Sequence, residues 1–214
     1  MANDSFDLVV DSSRYGIAMG LYQNNQRFEF FDNKARGESA GHVLDQLLSE
    51  ANTSLDHVKR VLVTLGPGSF TGLRTGIAFC QGLCFSGKRE LYGISTLEAL
   101  TSLSKNPNNA VIIRARPGYW YLRYQNKEVF YSTQEVLSTL NSSNVLSDLI
   151  IDSFASEDLE IKNFIEQKKQ EISLEVTLIS GTELESFLVF LDQLKPSLIQ
   201  EANYIQPSYF EKKS

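Results

Sequence analysis

The stretch Gly66-Pro67-Gly68-Ser69-Phe70-Thr71-Gly72-Leu73-Arg74-Thr75-Gly76 decides how this chain reads. It follows directly on Lys59 to Leu65 (KRVLVTL), a largely apolar run that predicts a strand. It opens onto Thr71 to Ser86, where apolar residues recur at helical spacing. The segment is therefore a strand-to-helix junction. Gly66 and Gly68 admit backbone angles closed to other residues, Pro67 stiffens the turn between them, and Ser69 or Thr71 can cap the helix. Gly72, Gly76 and Gly82 each cost about 1 kcal/mol relative to Ala in a helix interior, so close approach by another element is expected to offset them. Glycines opening a helix also suit a bound anion. A phosphate loop would need Gly-Lys-Ser/Thr, however, and here Leu73 follows Gly72 with no lysine before Lys88. The spacing of a dinucleotide fingerprint is missing too. Read on its own residues, the segment is a close-packed turn.

Working outward, Phe6 to Asp11 (FDLVVD), Tyr15 to Gln23 and Gln26 to Phe31 predict three strands, with Asn24-Asn25 as a tight turn in an antiparallel meander. The period then changes. Val43, Leu44, Leu47, Leu48 and Ala51 follow helical spacing over Glu38 to Asn52. Glu90 to Ile94 is a further strand. The order β-β-β-α-β-α-β is the layout of a ribonuclease-H-like half. The rest of the chain reads as a second, degenerate half. Strands are expected at Ala110–Ala115, Tyr119–Gln125, Lys127–Tyr131, Val145–Asp152 and Leu174–Ile179, and helices at Gln134–Leu140, Ser156–Lys169 and Thr182–Leu194. Asn106-Pro107-Asn108-Asn109 is the linker candidate, giving domains 1–104 and 105–214.

Composition narrows the function. With 214 residues the chain can bury a core without disulfides. The formal net charge of -6 disfavours a stand-alone RNA binder, and the densest basic runs, Lys168-Lys169 and Lys212-Lys213, sit among glutamates. Cys80 and Cys84 fall four apart on a helix with no nearby histidine to complete a metal site, and read as buried thiols. The only two histidines, His42 and His57, are too far apart for ligation from one helix turn. Ser69 lacks the Gly-x-Ser-x-Gly elbow of a hydrolase. The N-terminus has no basic leader and no apolar run approaches a membrane span, so the expected location is cytoplasmic.

GPGSFTGLRTG, followed by Gly93-Ile94-Ser95-Thr96-Leu97-Glu98-Ala99-Leu100, resembles the TsaB (YeaZ) family. Val9-Val10-Asp11-Ser12-Ser13 with Gly16-Ile17-Ala18 is similar to that family's Asp-Thr-Ser start, and Tyr204-Ile205-Gln206-Pro207-Ser208-Tyr209-Phe210 to its closing Pro-x-Tyr segment. The resemblance covers roughly residues 6 to 100 and returns at the tail. It implies an α/β fold of the actin-like ATPase superfamily with two ribonuclease-H-like halves. It further implies a non-catalytic partner of TsaD, which transfers threonylcarbamoyl to adenosine 37 of tRNAs reading ANN codons. TsaE would be recruited to that pair, tRNA would be reached only through the complex, and the isolated protein would form a homodimer. No cofactor is implied.

Active members of the superfamily hold phosphates between two hairpin turns, each with an acid and glycines. Here Asp11 is followed by Ser12-Ser13-Arg14 rather than a glycine turn. The second turn falls at Arg114-Ala115-Arg116-Pro117-Gly118, where relatives begin with Asp-Ala-Arg, and a cation at 114 could not bind a divalent metal. An active ATPase or kinase, and a protease, are the alternatives that these residues disfavour. By the same resemblance the partner interface is expected on the two N-terminal helices: Leu44, Leu47, Leu48 and Ala51 on the first, and Gly72, Leu73, Arg74, Gly76, Ile77 and Cys80 on the second. Gly66, Pro67, Gly68, Ser69 and Thr71 form the structural turn.

Overall fold

The computed structural model describes residues 5–14, 16–32, 39–142, 145–179 and 183–206. Tyr15, Glu38, Thr182, the tail residues Pro207 to Phe210 and the pair Lys212-Lys213 lie outside these. The chain divides into two compact units, residues 1–99 with 181–203, and residues 100–180 with 204–214. The division is not the contiguous 104/105 boundary expected from the linker. Residues 181–203 follow the whole second sheet in sequence and yet belong to the first unit.

In the first unit, β1 (Phe6–Asp11), β2 (Ile17–Gln23) and β3 (Gln26–Asp32) form an antiparallel meander. Asn24, at φ 52°, turns the chain between β2 and β3, a conformation asparagine tolerates. β4 (Val58–Thr64) and β5 (Glu90–Ile94) add in parallel, giving the order β3-β2-β1-β4-β5. The crossovers are α1 (Ala40–Glu50) and α2 (Phe70–Cys84), and α3 (Thr96–Leu100) follows β5. Leu8, Val10, Met19, Leu21, Val61 and Val63 alternate along their strands onto one face. There they meet Val43, Leu44, Leu47 and Leu48 of α1 and Ile77, Cys80 and Cys84 of α2. The opposite face, carrying Val9 and Leu62, is covered from the far end of the chain.

The second unit repeats the order as β8-β7-β6-β9-β10, from β6 (Asn109–Arg116), β7 (Tyr119–Tyr124), β8 (Lys127–Ser132), β9 (Asp148–Ile151) and β10 (Glu175–Leu178). Its reduction lies in strand length, with β9 and β10 four residues each, and not in a lost strand. Ile112, Trp120, Leu122, Leu149, Ile161 and Phe164 centre its core, and the Trp120 indole N–H is satisfied by Thr133 Oγ1 at 2.9 Å. α4 (Thr133–Asn141) opens with a capping box between Ser132 and Glu135. The single helix expected over Ser156–Lys169 is two: α5 (Ser153–Glu157) and α6 (Leu159–Glu171), broken at Asp158, whose carboxylate caps α6.

The final helix expected over Thr182–Leu194 is a short α7 (Leu184–Phe187) continued as a 3-10 run, Leu188–Gln193. α7 packs on β1 and β2 with Leu184 and Phe187 buried, and so closes the second face of the first sheet. After it the chain runs along the β5 side of that sheet, where Ser197 donates its N–H to the Leu91 carbonyl at 2.8 Å.

Candidate functional site

The glycine junction is built onto the turn after β1. Ser69 N–H donates to the Ser13 carbonyl at 2.6 Å, and Ser12 Oγ donates to the Gly72 carbonyl at 2.9 Å. A Cβ on Gly68 would run into the backbone of Ser13, one on Gly72 into the Ser12 carbonyl, and one on Gly76 into the Ser12 hydroxyl. The element that offsets Gly72 and Gly76 is thus the β1–β2 turn of the same unit, laid along the first two turns of α2, whereas the close approach expected at Gly82 is not found among the described residues. Gly66 takes φ +99° and precedes a cis bond to Pro67, whereas Gly68 is required for space and not for angle. Ser69 is the cap, its Oγ accepting from Gly72 N–H at 3.2 Å, and Thr71 instead accepts through its carbonyl from Thr75 Oγ1.

Beneath this contact lies Asp11, 4% exposed. Its Oδ1 accepts from Ser13 N–H (2.9 Å), Ser13 Oγ (2.6 Å) and Thr64 Oγ1 (2.7 Å), and its Oδ2 from Arg14 Nε and Nη2, both at 3.2 Å. Burial alone would raise its pKa, but the Arg14 charge and the Ser13 and Thr64 hydrogen bonds outweigh that and hold the carboxyl below its ordinary range. Arg14 reaches on to Glu183 at 3.4 Å. The acid that an active phosphate turn would keep available is here filled by five internal donors.

The second turn is organised differently. Arg114 and Arg116 flank an irregularity in the β6–β7 register, which sends them to opposite faces of the sheet. The Arg114 guanidinium lies 4.3 Å from the Phe154 ring centroid and that of Arg116 lies 4.2 Å from Tyr119. The acid near this turn is Asp152, which accepts the Arg114 N–H at 2.7 Å and the Ala155 N–H at 2.8 Å. Both histidines are exposed, and His57 Nδ1 lies 3.3 Å from the Thr53 and Ser54 hydroxyls. Among the described residues no group of three or more His, Cys, Asp or Glu could hold a metal, and no helix is long and apolar enough to cross a membrane. A cavity of about 230 Å³ lies at the opposite end of β1, lined by Asp7, Tyr22, Arg60 and Glu185 among others, and the Asp11 turn does not line it.

The interface stripe needs correction. Leu44, Leu47, Leu48, Ile77 and Cys80 are buried in the first unit's own core, Ala51 packs partly buried against it, Leu73 is buried beside Gly66, and Gly72 and Gly76 face Ser12. The apolar side of each helix is the side its sheet claims. Of the ten residues in the stripe, Arg74 alone is exposed, its guanidinium 3.9 Å from the Phe70 ring centroid. The outward face of α2 carries Phe70 (53% exposed), Arg74, Ala78, Gly82 and, just past its end, Phe85 (80% exposed). The outward face of α1 carries Gly41, His42, Asp45 and Ser49. Gly41 and Gly82 have open space where a Cβ would stand. An exposed phenylalanine after a core-facing helical stripe is the signal that sequence reading passed over. Burial also pushes the Cys80 thiol up, away from reactivity.

Residues 33–185 match the family described as TsaD, tRNA N6-adenosine threonylcarbamoyltransferase. The chain is 31% identical over 130 residues to the tRNA threonylcarbamoyladenosine biosynthesis protein TsaB of Escherichia coli (strain K12), a match covering 56% of this chain and 55% of the relative. It is 38% identical over 61 residues to the tRNA N6-adenosine threonylcarbamoyltransferase of Geobacter sp. (strain M21), covering 28% of this chain and 18% of that one. The chain thus spans about half the length of its Escherichia coli relative. The solved structure of YeaZ from Pseudomonas aeruginosa shares the fold, with a TM-score of 0.69 at 21% identity over 94% of this chain and 99% of that one. Two sheets of ribonuclease-H-like order in one chain are the actin-like ATPase plan. The chain belongs to the TsaD family of tRNA threonylcarbamoyladenosine proteins, on its TsaB (YeaZ) branch.

Proposed function

We propose that this protein is a non-catalytic partner of a TsaD-type transferase in forming the threonylcarbamoyl group on adenosine 37 of tRNAs reading ANN codons. The observation that carries the reading is the Asp11 carboxylate, buried and filled by donors from Ser13, Thr64 and Arg14. A carboxylate in that state holds a turn together and is not available to a metal or a phosphate. Arg114 at the second turn supports the same conclusion. The docking surface is the outward face of α1 and α2, with Phe70, Arg74, Ala78, Gly82 and Phe85. Exposed aromatics beside small residues and an arginine suit the centre of an interface. The partner is TsaD, TsaE joins the pair, and alone the protein pairs through the same face as a cytoplasmic homodimer.

The test is co-purification with the cognate TsaD-type protein and size-exclusion chromatography of each protein alone and mixed. A heterodimer that replaces the homodimer is expected. Phe85→Ser and Arg74→Glu should abolish it while the chain stays folded, whereas Leu73→Glu should fail to fold. No complex under any nucleotide condition, together with tight ATP binding in calorimetry, would overturn the proposal in favour of an ATPase.

A further inference from the structure

The segment 183–203 meets the α2 junction from two sides. On one side Glu183 accepts from Arg14 Nη2 at 3.4 Å. Arg14 clamps Asp11, Asp11 fixes Ser13, and the Ser13 carbonyl receives the N–H of Ser69, the cap of α2. On the other side Asn203 N–H donates to the Leu65 carbonyl at 2.6 Å, and its own carbonyl stands 3.0 Å from the place of a Gly66 Cβ. Gln81 of α2 donates from Nε2 to the Gln200 carbonyl at 3.3 Å. Between these tethers Leu184, Phe187 and Leu191 are buried.

Three arginines of the first unit, two on strands and one in the β1–β2 turn, pair with acids of this strap. Arg27–Glu185 and Arg60–Asp192, each at 2.9 Å, have exposed acids and lead to β3 and β4. The Glu183–Arg14 pair is the buried one, with side chains 7% and 19% exposed, and leads into the junction. A partly buried guanidinium shared by two carboxylates holds its geometry best while both are charged and in place.

We propose that Glu183 is a positioning residue. Through Arg14 and Asp11 it couples the docking of the 183–203 strap to the seating of the first turns of α2, and hence to the face that meets the partner. The consequence for binding rests on the function proposed above, but the coupling itself does not.

Amide hydrogen exchange on the full chain tests it. In the unaltered protein, Ser69, Leu73 and Asn203 should open together, with one shared dependence on denaturant. Glu183→Gln should speed exchange at these amides by roughly ten-fold or more while leaving the β6–β7 amides unchanged. Glu185→Gln, on the same strap, should leave Ser69 and Leu73 unchanged. The inference is overturned if Asn203 exchanges through its own opening while Ser69 and Leu73 stay protected to the global limit. It is equally overturned if the two glutamate variants behave alike. Should Glu183→Gln not fold, the exchange of the unaltered chain decides alone. Shared opening with no binding to a TsaD-type protein sinks the docking reading and leaves the coupling standing. Binding with independent openings does the reverse.

Discussion

At the end of its first strand, each sheet carries a charged residue beside a turn, and the two are handled in opposite ways. Asp11 in the first sheet is buried, and its donors come from its own turn and from Thr64 at the end of β4. Arg114 in the second is half-buried, its charge spread over the Phe154 ring, and the acid stands after β9, where Asp152 holds the Arg114 N–H and caps α5. The strand order is shared and the turn chemistry is not. One turn has become a joint that seats a helix, the other a shallow stack of arginines on rings.

The largest test of this contrast is to remove the two charges in turn. Asp11→Ala leaves the partly buried Arg14 with one partner gone and the buried Ser13 and Thr64 donors without their acceptor, and should cost ~3–5 kcal/mol in denaturant unfolding. Arg114→Ala loses a stack worth ~0.5–1 kcal/mol. Equal losses would break the comparison. A pH series sharpens it. Because the folded pKa of Asp11 lies below its ordinary value, its contribution is complete above the unfolded-state pKa and is lost as pH falls through the folded one. Stability should therefore decline in acid below about pH 4. Asp11→Asn should flatten that limb at the cost of a lower plateau at neutral pH.

The glycine packed on the first turn and the glycine within the second give the next effect. A Cβ on Gly68 meets the carbonyl, carbonyl carbon and Cα of Ser13, all backbone atoms that cannot step aside. Gly68→Ala should lower stability by ~3 kcal/mol. Gly118, at φ +73°, has open space around its missing Cβ. Gly118→Ala should therefore cost only the ~1 kcal/mol of a left-handed alanine. Thermal melts of the two variants side by side would decide it, and a Gly68→Ala protein that melts like Gly118→Ala would mean the junction is not close-packed.

Much of this architecture was legible because it is local. FDLVVD, the Asn24-Asn25 turn and the change of period at Val43 place the first sheet and the helices α1 and α2 within a residue or two. The proposed interface was not legible in the same way. An apolar stripe such as Leu44, Leu47 and Leu48 looks the same whether a sheet or another protein covers it, and the sheet took it. Exposure at Phe70 and Phe85 depends on which side the sheet leaves open, which no spacing records. Glu183 was invisible for a related reason, since an ion pair to Arg14 from the far end of the chain has no period. The return of residues 181–203 to the first unit is the step that sequence reading lacked.

The smallest effect falls within α2, where the same contrast of filled and open recurs. Gly76 faces the Ser12 hydroxyl, but nothing lies within 4 Å of a Cβ on Gly82. Packing in this chain therefore gives no reason for a glycine at 82, and Gly82→Ala should raise the stability of the isolated protein by ~0.5–1 kcal/mol. Gly76→Ala, pressed against Ser12, should lower it. If Gly82 is kept so that a partner helix can come close, the stabilised Gly82→Ala protein should bind the proposed TsaD-type partner more weakly than the unaltered chain. A variant that is both more stable and equally tight would move the docking face along α2, toward Phe70 and Arg74 and away from Phe85.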